Sequence, residues 1–303
     1  MQQKSAYSKK NKTANLFWMG KLTNYELICI ESFYKKGFET ILWTYEPNHK
    51  SLNNIHENIK IKNAEEIVPK SYLGKFTSNS QKKMLSAFSD YFRYNLLTKN
   101  GGWWFDTDCY CLKNVEEFIK LSENRNIVIG KTKDNLINGS VIFLNDTNLF
   151  VDFIKYIENK LIIEKYNFYE GEIGPYLLTE YFKNDNNILP PKFFYAINPN
   201  EFHYIFDSRK NKKLAVYETL EDSYVLHFWN EMLRRFLINK SKLPPRNSYI
   251  FELFFDNQTS NKKQYGPLMF IRFLKPVSII YKIISRMKII FKNILIELNL
   301  SKY

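Results

Sequence analysis

The sequence predicts an α/β protein, and three observations point that way. Strand-like and helix-like stretches alternate from residue 15 onward, each closed by a turn residue. A helical repeat over residues 81–99 stops at Asn100-Gly101-Gly102 and runs directly into Trp103-Trp104-Phe105. Two acids, Asp106 and Asp108, then stand at the carboxyl end of that apolar stretch, where open α/β sheets bind their ligands.

Taken in order, residues 15–19 (NLFWM) read as a first strand, broken by Gly20-Lys21. A helical pattern over 25–36 ends at Gly37, and residues 39–45 (ETILWTY), closed by Pro47, form the second strand. Residues 50–80 are rich in asparagine and lysine and read as irregular connections. In the helix of 81–99 the apolar stripe is Met84, Leu85, Phe88, Phe92 and Leu96, with Asp90 and Arg93 on a face beside it. Further strands are expected at 126–130, 141–144 and 224–228, and further helices at 149–164 and 175–182. Residues 234–264 are basic, contain Pro244-Pro245, and are expected to loosen. The division expected is a catalytic domain of residues 1–265 and a basic amphipathic helical tail of residues 266–303.

With 303 residues, 45% hydrophobic and 17% aromatic, the chain can bury a full core, which excludes a disordered protein. Three cysteines are too few for a disulfide framework or a four-ligand zinc site. A reducing compartment fits that usage. The opening residues lack the apolar run of a secretory signal, so the expected location is the cytoplasm. A net charge of +13 predicts attraction to a polyanion: nucleic acid, anionic lipid or a phosphorylated ligand. No zinc finger, basic zipper or RNA-binding aromatic signature accompanies it, so nucleic acid is not the expected partner.

Two carboxylates one residue apart at a strand end can both approach a hard cation whose shell a diphosphate completes. Asp106-Thr107-Asp108 has that form, although the bare pattern equally describes a solvated turn. Asp90 and Arg93 share a helix face and would pass for a surface ion pair if taken alone. Trp18 alone reads as core, as does His227 in its apolar run.

The wider context weighs against those plain readings. Ser89-Asp90-Tyr91-Phe92-Arg93-Tyr94, then Leu96-Leu97, then Gly101-Gly102-Trp103-Trp104-Phe105-Asp106-Thr107-Asp108 resembles the signature of the DXD sugar transferases, glycosyltransferase family 32. It is also similar to the glucosylating domains of large clostridial toxins. Phe17-Trp18-Met19-Gly20-Lys21 resembles the family's first-strand motif, Gly174-Pro175-Tyr176-Leu177-Leu178-Thr179 its later helix start, and His227-Phe228-Trp229-Asn230 its last active-site strand. The similarity spans roughly residues 14–235.

That resemblance implies a GT-A type, Rossmann-like fold for nucleotide-diphosphosugar transferases, and a retaining transfer without an enzyme nucleophile. It implies Mn²⁺ or Mg²⁺ held by the catalytic pair Asp106 and Asp108, with His227 as a third metal or diphosphate contact. For the donor it implies Trp18 against the base, Asp90 on sugar hydroxyls and Arg93 on sugar or phosphate. Trp104, Asp106, Trp229 and Asn138 would complete the donor-binding set. Expected partners are a UDP-sugar carrying a hexose or N-acetylhexosamine and a glycan or lipid-linked glycan acceptor, in capsule or lipopolysaccharide synthesis. Two departures stand out, Met19 for an isoleucine and Trp104 for a tyrosine or isoleucine, the second of which would reshape the donor pocket. The alternatives are a toxin-like effector that glycosylates a protein, and a non-catalytic basic membrane-binding protein.

Residues 267–300 carry Ile280, Ile283, Ile284, Met287, Ile290, Ile294 and Leu298 at helical spacing, interrupted by Lys282, Arg286, Lys288 and Lys292. Charges this frequent exclude a membrane span. The reading is a helix lying on an anionic membrane, placing the enzyme at the inner face; packing on the domain or a dimer contact is the alternative.

Overall fold

The structure, a computed structural model, describes residues 9–78, 82–163 and 167–256. It divides into two units. The first takes the residues up to Ile197 together with Thr219–Phe228; the second takes Asn198–Glu218 and the residues from Trp229 onward.

In the first unit, strands β1 (Thr13–Phe17), β2 (Glu39–Thr44), β3 (Lys60–Asn63), β4 (Gly102–Phe105), β6 (Ile127–Lys131) and β7 (Ile137–Leu144) form one sheet. Their order is β3-β2-β1-β4-β7-β6, and β7 alone runs against its neighbours. Strands β5 (Cys109–Cys111) and β8 (Val225–His227) form a separate antiparallel pair. This parallel-rich sheet flanked by helices is the GT-A arrangement.

Local chemistry explains the boundaries. Helix α1 (Asn24–Lys35) opens on a capping box, in which Thr23 Oγ1 accepts from the Tyr25 N–H and Glu26 Oε2 accepts from the Thr23 N–H at 2.9 Å. Helix α2 (Leu85–Asn100) ends at Gly101 and Gly102, whose φ values of 63° and 88° suit glycine. A Cβ on either would press to 3.0 Å on a backbone oxygen, of Leu144 or Lys10 respectively. The chain can therefore turn directly from α2 into β4 between two other segments. Along β4 the side chains alternate: Trp103 meets the edge of Phe118 on α3 (Val115–Ser122), while Trp104 packs toward Phe92 on α2. Both faces of the strand are covered, which is why it reads as an unbroken apolar run. Helices α4 (Val151–Ile162) and α5 (Leu177–Phe182) complete the unit.

Several expectations need correction. Leu85, assigned to the apolar stripe, is exposed, while Asp90 and Arg93 are buried along with Tyr91, Phe92 and Tyr94. Helix α2 is enclosed on more than one side, so its polar pair lies inside the protein. Strand β7 begins earlier than residue 141, and a strand, β3, lies within the polar stretch 50–80. Its Lys-Ile-Lys-Asn sequence occupies a sheet edge with little buried surface, so no apolar pattern announced it. The helix expected from residue 175 starts instead as a wide turn, Glu172–Tyr176, with Gly174 out of helical conformation.

The second unit contains a 3₁₀ segment, Pro199–Phe206, and helices α6 (Lys210–Leu220), α7 (Asn230–Arg235) and α8 (Tyr249–Asp256). The last two residues of α6 count with the first unit. Phe202 packs on Phe236 at 5.1 Å and Tyr217 on Tyr249 at 4.8 Å, while Lys213 and Tyr217 both bond Glu252. Residues expected to loosen after 234 thus include α8. The tail of residues 266–303 lies outside the described residues. Among the described residues no helix is long and apolar enough to cross a membrane.

Candidate active site

Strands β1 and β4 are parallel, with Asn15 beside Trp104, so Trp18 and Asp106 both leave the sheet at the carboxyl end of these strands. Antiparallel strand β7 enters at that end, since Phe105 lies opposite Val141. The turn Asp106-Thr107-Asp108 is pinned there by three backbone bonds. Asp106 N–H donates to Ser140 O, Cys109 N–H to Asp106 O, and Phe228 N–H to Asp108 O, at 2.8–2.9 Å. The two acids are therefore held by β7 on one side and the β5–β8 pair on the other.

Arg93 joins the first acid to the helix. Its Nη2 lies 3.2 Å from Asp90 Oδ1 and 3.1 Å from Asp106 Oδ1, and its guanidinium carbon lies 5.1 Å from the Trp104 ring centre. Trp104 Nε1 donates to the same Asp106 oxygen at 2.9 Å. Arg93 Nε is buried with no hydrogen-bond partner, a donor left over inside this group. Burial pushes the Asp90 carboxyl up to about 6, with Asp106 adding to the rise and Arg93 opposing it. Burial also raises Asp106 against the pull of Arg93, and Asp108 adds to that rise. Burial works against the charge of Arg93, yet Asp106 and Asp90 outweigh it and hold the guanidinium protonated.

Two glycines let backbone close onto this pair. A Cβ on Gly139 would stand 2.6 Å from Arg93 Nη1, and one on Gly174 would stand 2.5 Å from Asp90 Oδ2. Tyr94 Oη donates to the neighbouring Ile173 O at 2.8 Å, fixing the wide turn against α2. Asn138 turns its Oδ1 inward, accepting from the Ser140 N–H at 2.9 Å and the Ser140 hydroxyl at 2.8 Å. The Tyr195 hydroxyl donates to the Asn138 carbonyl at 2.9 Å. Tyr195, Gly139 and Gly174 took no part in the sequence-based site. The Gly174-Pro175 motif pointed at the segment, but contact with Asp90 depends on a fold the sequence does not display.

On the other side of the turn, His227 Nε2 lies 3.4 Å from Asp108 Oδ1, both side chains buried. Strand pairing sets this, because His227 sits directly opposite Cys109 in the β5–β8 ladder. Asp108, Cys109 and His227 each bring a possible metal-ligating atom within 4.8 Å of the others. Burial raises the Cys109 thiol well above its ordinary value and leaves it protonated. Hard cations prefer oxygen and borderline ones also accept imidazole, so Asp108 and His227 suit a divalent cation better than the protonated thiol does.

The structure thus gathers Asp90, Arg93, Trp104 and Asp106 in one group and Asp108 with His227 in another, two residues apart on one turn. Trp18 is half-buried just past β1, where its backbone N–H donates to the Trp43 carbonyl at 3.0 Å. Trp229 belongs to the second unit, where it precedes α7 in a left-handed conformation with φ 56°.

Residues 3–128 match the glycosyltransferase sugar-binding region containing the DXD motif, and residues 165–243 match the conserved region of α-1,4-glycosyltransferases. The lactosylceramide 4-alpha-galactosyltransferase of Pongo pygmaeus is 27% identical over 163 residues, which span 49% of this chain and 69% of that protein. The Homo sapiens enzyme of the same name is also 27% identical, but the match takes in only 42% of its length. Among solved structures, the bifunctional glycosyltransferase WbbM in its apo form superposes with a TM-score of 0.50 at 12% identity, covering 83% of this chain and 50% of that one. GlyE of Streptococcus pneumoniae TIGR4 is 12% identical with a TM-score of 0.39, over 84% of this chain and 65% of that one.

Proposed function

Since the chain belongs to the DXD-motif glycosyltransferases, we propose that it moves a hexose or N-acetylhexosamine from a UDP-sugar to a glycan acceptor in capsule or lipopolysaccharide assembly. The observation that carries the reading is the pinned Asp106-Thr107-Asp108 turn, with Arg93 at 3.1 Å from one acid and His227 at 3.4 Å from the other. Galactose heads the list of donor sugars, because the lactosylceramide relatives are named for a galactosyl transfer. An α-linked product made from an α-linked sugar nucleotide corresponds to retention, which is the stereochemistry proposed for this chain.

In this reading Asp108 and His227 hold the cation, and Asp106 shares in the same charge balance with the diphosphate. A divalent cation, when bound, neutralises the charge that develops on the departing nucleotide. Trp18 lies against the base, while Asp90 accepts from donor hydroxyls above Gly174. Arg93 Nη2 is committed to two carboxylates, so its first task is to position Asp90 and Asp106, with its remaining N–H groups available to sugar or phosphate. Asn138 and Trp104 border the transferred sugar. No side chain among these is placed as a nucleophile, and the acceptor hydroxyl attacks on the face from which the diphosphate leaves.

The test is hydrolysis and binding of a panel of nucleotide sugars, with and without Mn²⁺, by wild type and Asp108→Asn. One donor should be turned over only with metal, and the variant should lose at least about a hundredfold, as expected for a preorganised electrostatic group. Absence of metal-dependent binding to any donor would sink the proposal.

A further inference from the structure

Beyond the donor site, the wide turn Glu172–Tyr176 and the residues that precede it present aromatic side chains to solvent. Tyr169 and Tyr176 are 58% and 49% exposed, and Tyr156 on α4 is 44% exposed. The Tyr169 and Tyr176 rings lie 6.0 Å apart at 48°, forming an open angle. The Tyr156 and Tyr176 phenols are both close enough to Tyr169 to act on its charge. Exposed rings of this number in one place call for an explanation, since apolar surface costs about 25 cal/mol per Å² to leave in water.

The cluster is tied together through Glu172 and Lys160. Glu172, buried beneath it, accepts from Lys160 at 2.6 Å and from the Tyr169 N–H at 3.1 Å. Lys160 in turn lies 5.0 Å from the Tyr156 ring centre. Gly171, at φ 82°, leaves the Tyr176 ring its place: a Cβ there would come to 3.1 Å from the ring. The same turn touches the donor group, because Gly174, two residues before Tyr176, lies against Asp90. One short segment therefore presents its glycine to Asp90 and its rings to solvent.

We propose that Tyr169 and Tyr176, with Tyr156 beside them, form the acceptor-sugar subsite, on which the C–H face of a terminal hexose of the acceptor glycan stacks. The occupant is a saccharide because the rings are exposed tyrosines, offering flat apolar faces edged by hydroxyl groups, which complement the C–H face and hydroxyl rim of a pyranose. The turn, which places Gly174 against Asp90, then sets how far the acceptor ring lies from Asp90. This inference rests on the transferase reading and adds to it the residues that choose the acceptor.

The experiment separates the two. Wild type, Tyr169→Ala, Tyr176→Ala, the double variant and the two Tyr→Phe variants are compared in donor hydrolysis without acceptor and in transfer to a panel of p-nitrophenyl β-hexosides and p-nitrophenyl β-lactoside. The alanine variants should hydrolyse donor as wild type does, while the KM for the transferred acceptor rises by roughly tenfold for each lost ring face, the ratio carried by one modest contact. The phenylalanine variants should recover most of that loss. Intact hydrolysis with an unchanged acceptor KM would overturn the subsite alone, and so would a panel in which no glycoside is glycosylated. A wild type that hydrolyses no sugar nucleotide would overturn the transferase reading and this inference together.

Discussion

Asp90 is a carboxylate whose fold works against its charge. Its pKa is pushed up to about 6 by burial, with Arg93 providing only partial relief. An acid raised in the folded state contributes stability below its unfolded value near 3.9, and loses that contribution as pH rises through about 6. The native protein therefore carries a penalty above pH 6 that Asp90→Asn removes. The variant should gain stability relative to wild type between about pH 4 and pH 6, to a plateau on the order of 3 kcal/mol. Denaturant melts at several pH values check this; a difference flat across that window would show that Arg93 fully compensates the charge. The same variant should lose transfer activity at every pH, since stability given up at one carboxylate is what a binding site does with it. None of this was legible from the spacing of Asp90 and Arg93, which fits a surface pair as well as a buried one.

At the scale of elements, the site depends on how closely backbone approaches side chain. Gly174→Ala would put a methyl group 2.5 Å from Asp90 Oδ2, and Gly139→Ala one 2.6 Å from Arg93 Nη1. Overpacking of this kind costs about 1–3 kcal/mol. Gly174→Ala should lower donor affinity more than tenfold with a fall in Tm of a few degrees, measured by titration calorimetry and thermal melts on the same sample. Unchanged affinity would mean that Asp90 does not meet the donor. Element by element, the sequence shows strands best where both faces are covered, as in Trp103-Trp104-Phe105, and least where a strand sits on an edge, as in Lys60–Asn63. It shows the acid pair and the Gly-Gly turn because each is a local demand. It does not show that α2 is enclosed, because enclosure is decided by the segments that later pack over Leu85's neighbours.

For the molecule as a whole, the net charge of +13 calls for an anionic counterpart. The nucleotide donor accounts for part of it, and the basic tail of residues 266–303 is proposed to take an anionic lipid surface. Removing residues 266–303 should abolish sedimentation with phosphatidylglycerol vesicles while leaving donor hydrolysis in solution. Binding by the full chain should weaken as salt shortens the screening length from about 30 Å to about 8 Å. Vesicle binding that survives the truncation would assign the surface to the body of the protein.

The β5–β8 ladder also sets an order of events in the making of the protein. Asp108 and His227 meet only because Cys109 lies opposite His227, on two strands that end at Cys111 and begin at Val225 in the sequence. On the ribosome the sheet, α2 and the Asp90–Arg93–Asp106 group are all synthesised before the last strand emerges. A chain that has reached Leu144 already holds every strand of the six-stranded sheet, but the Asp108–His227 pair can form only once synthesis has passed His227.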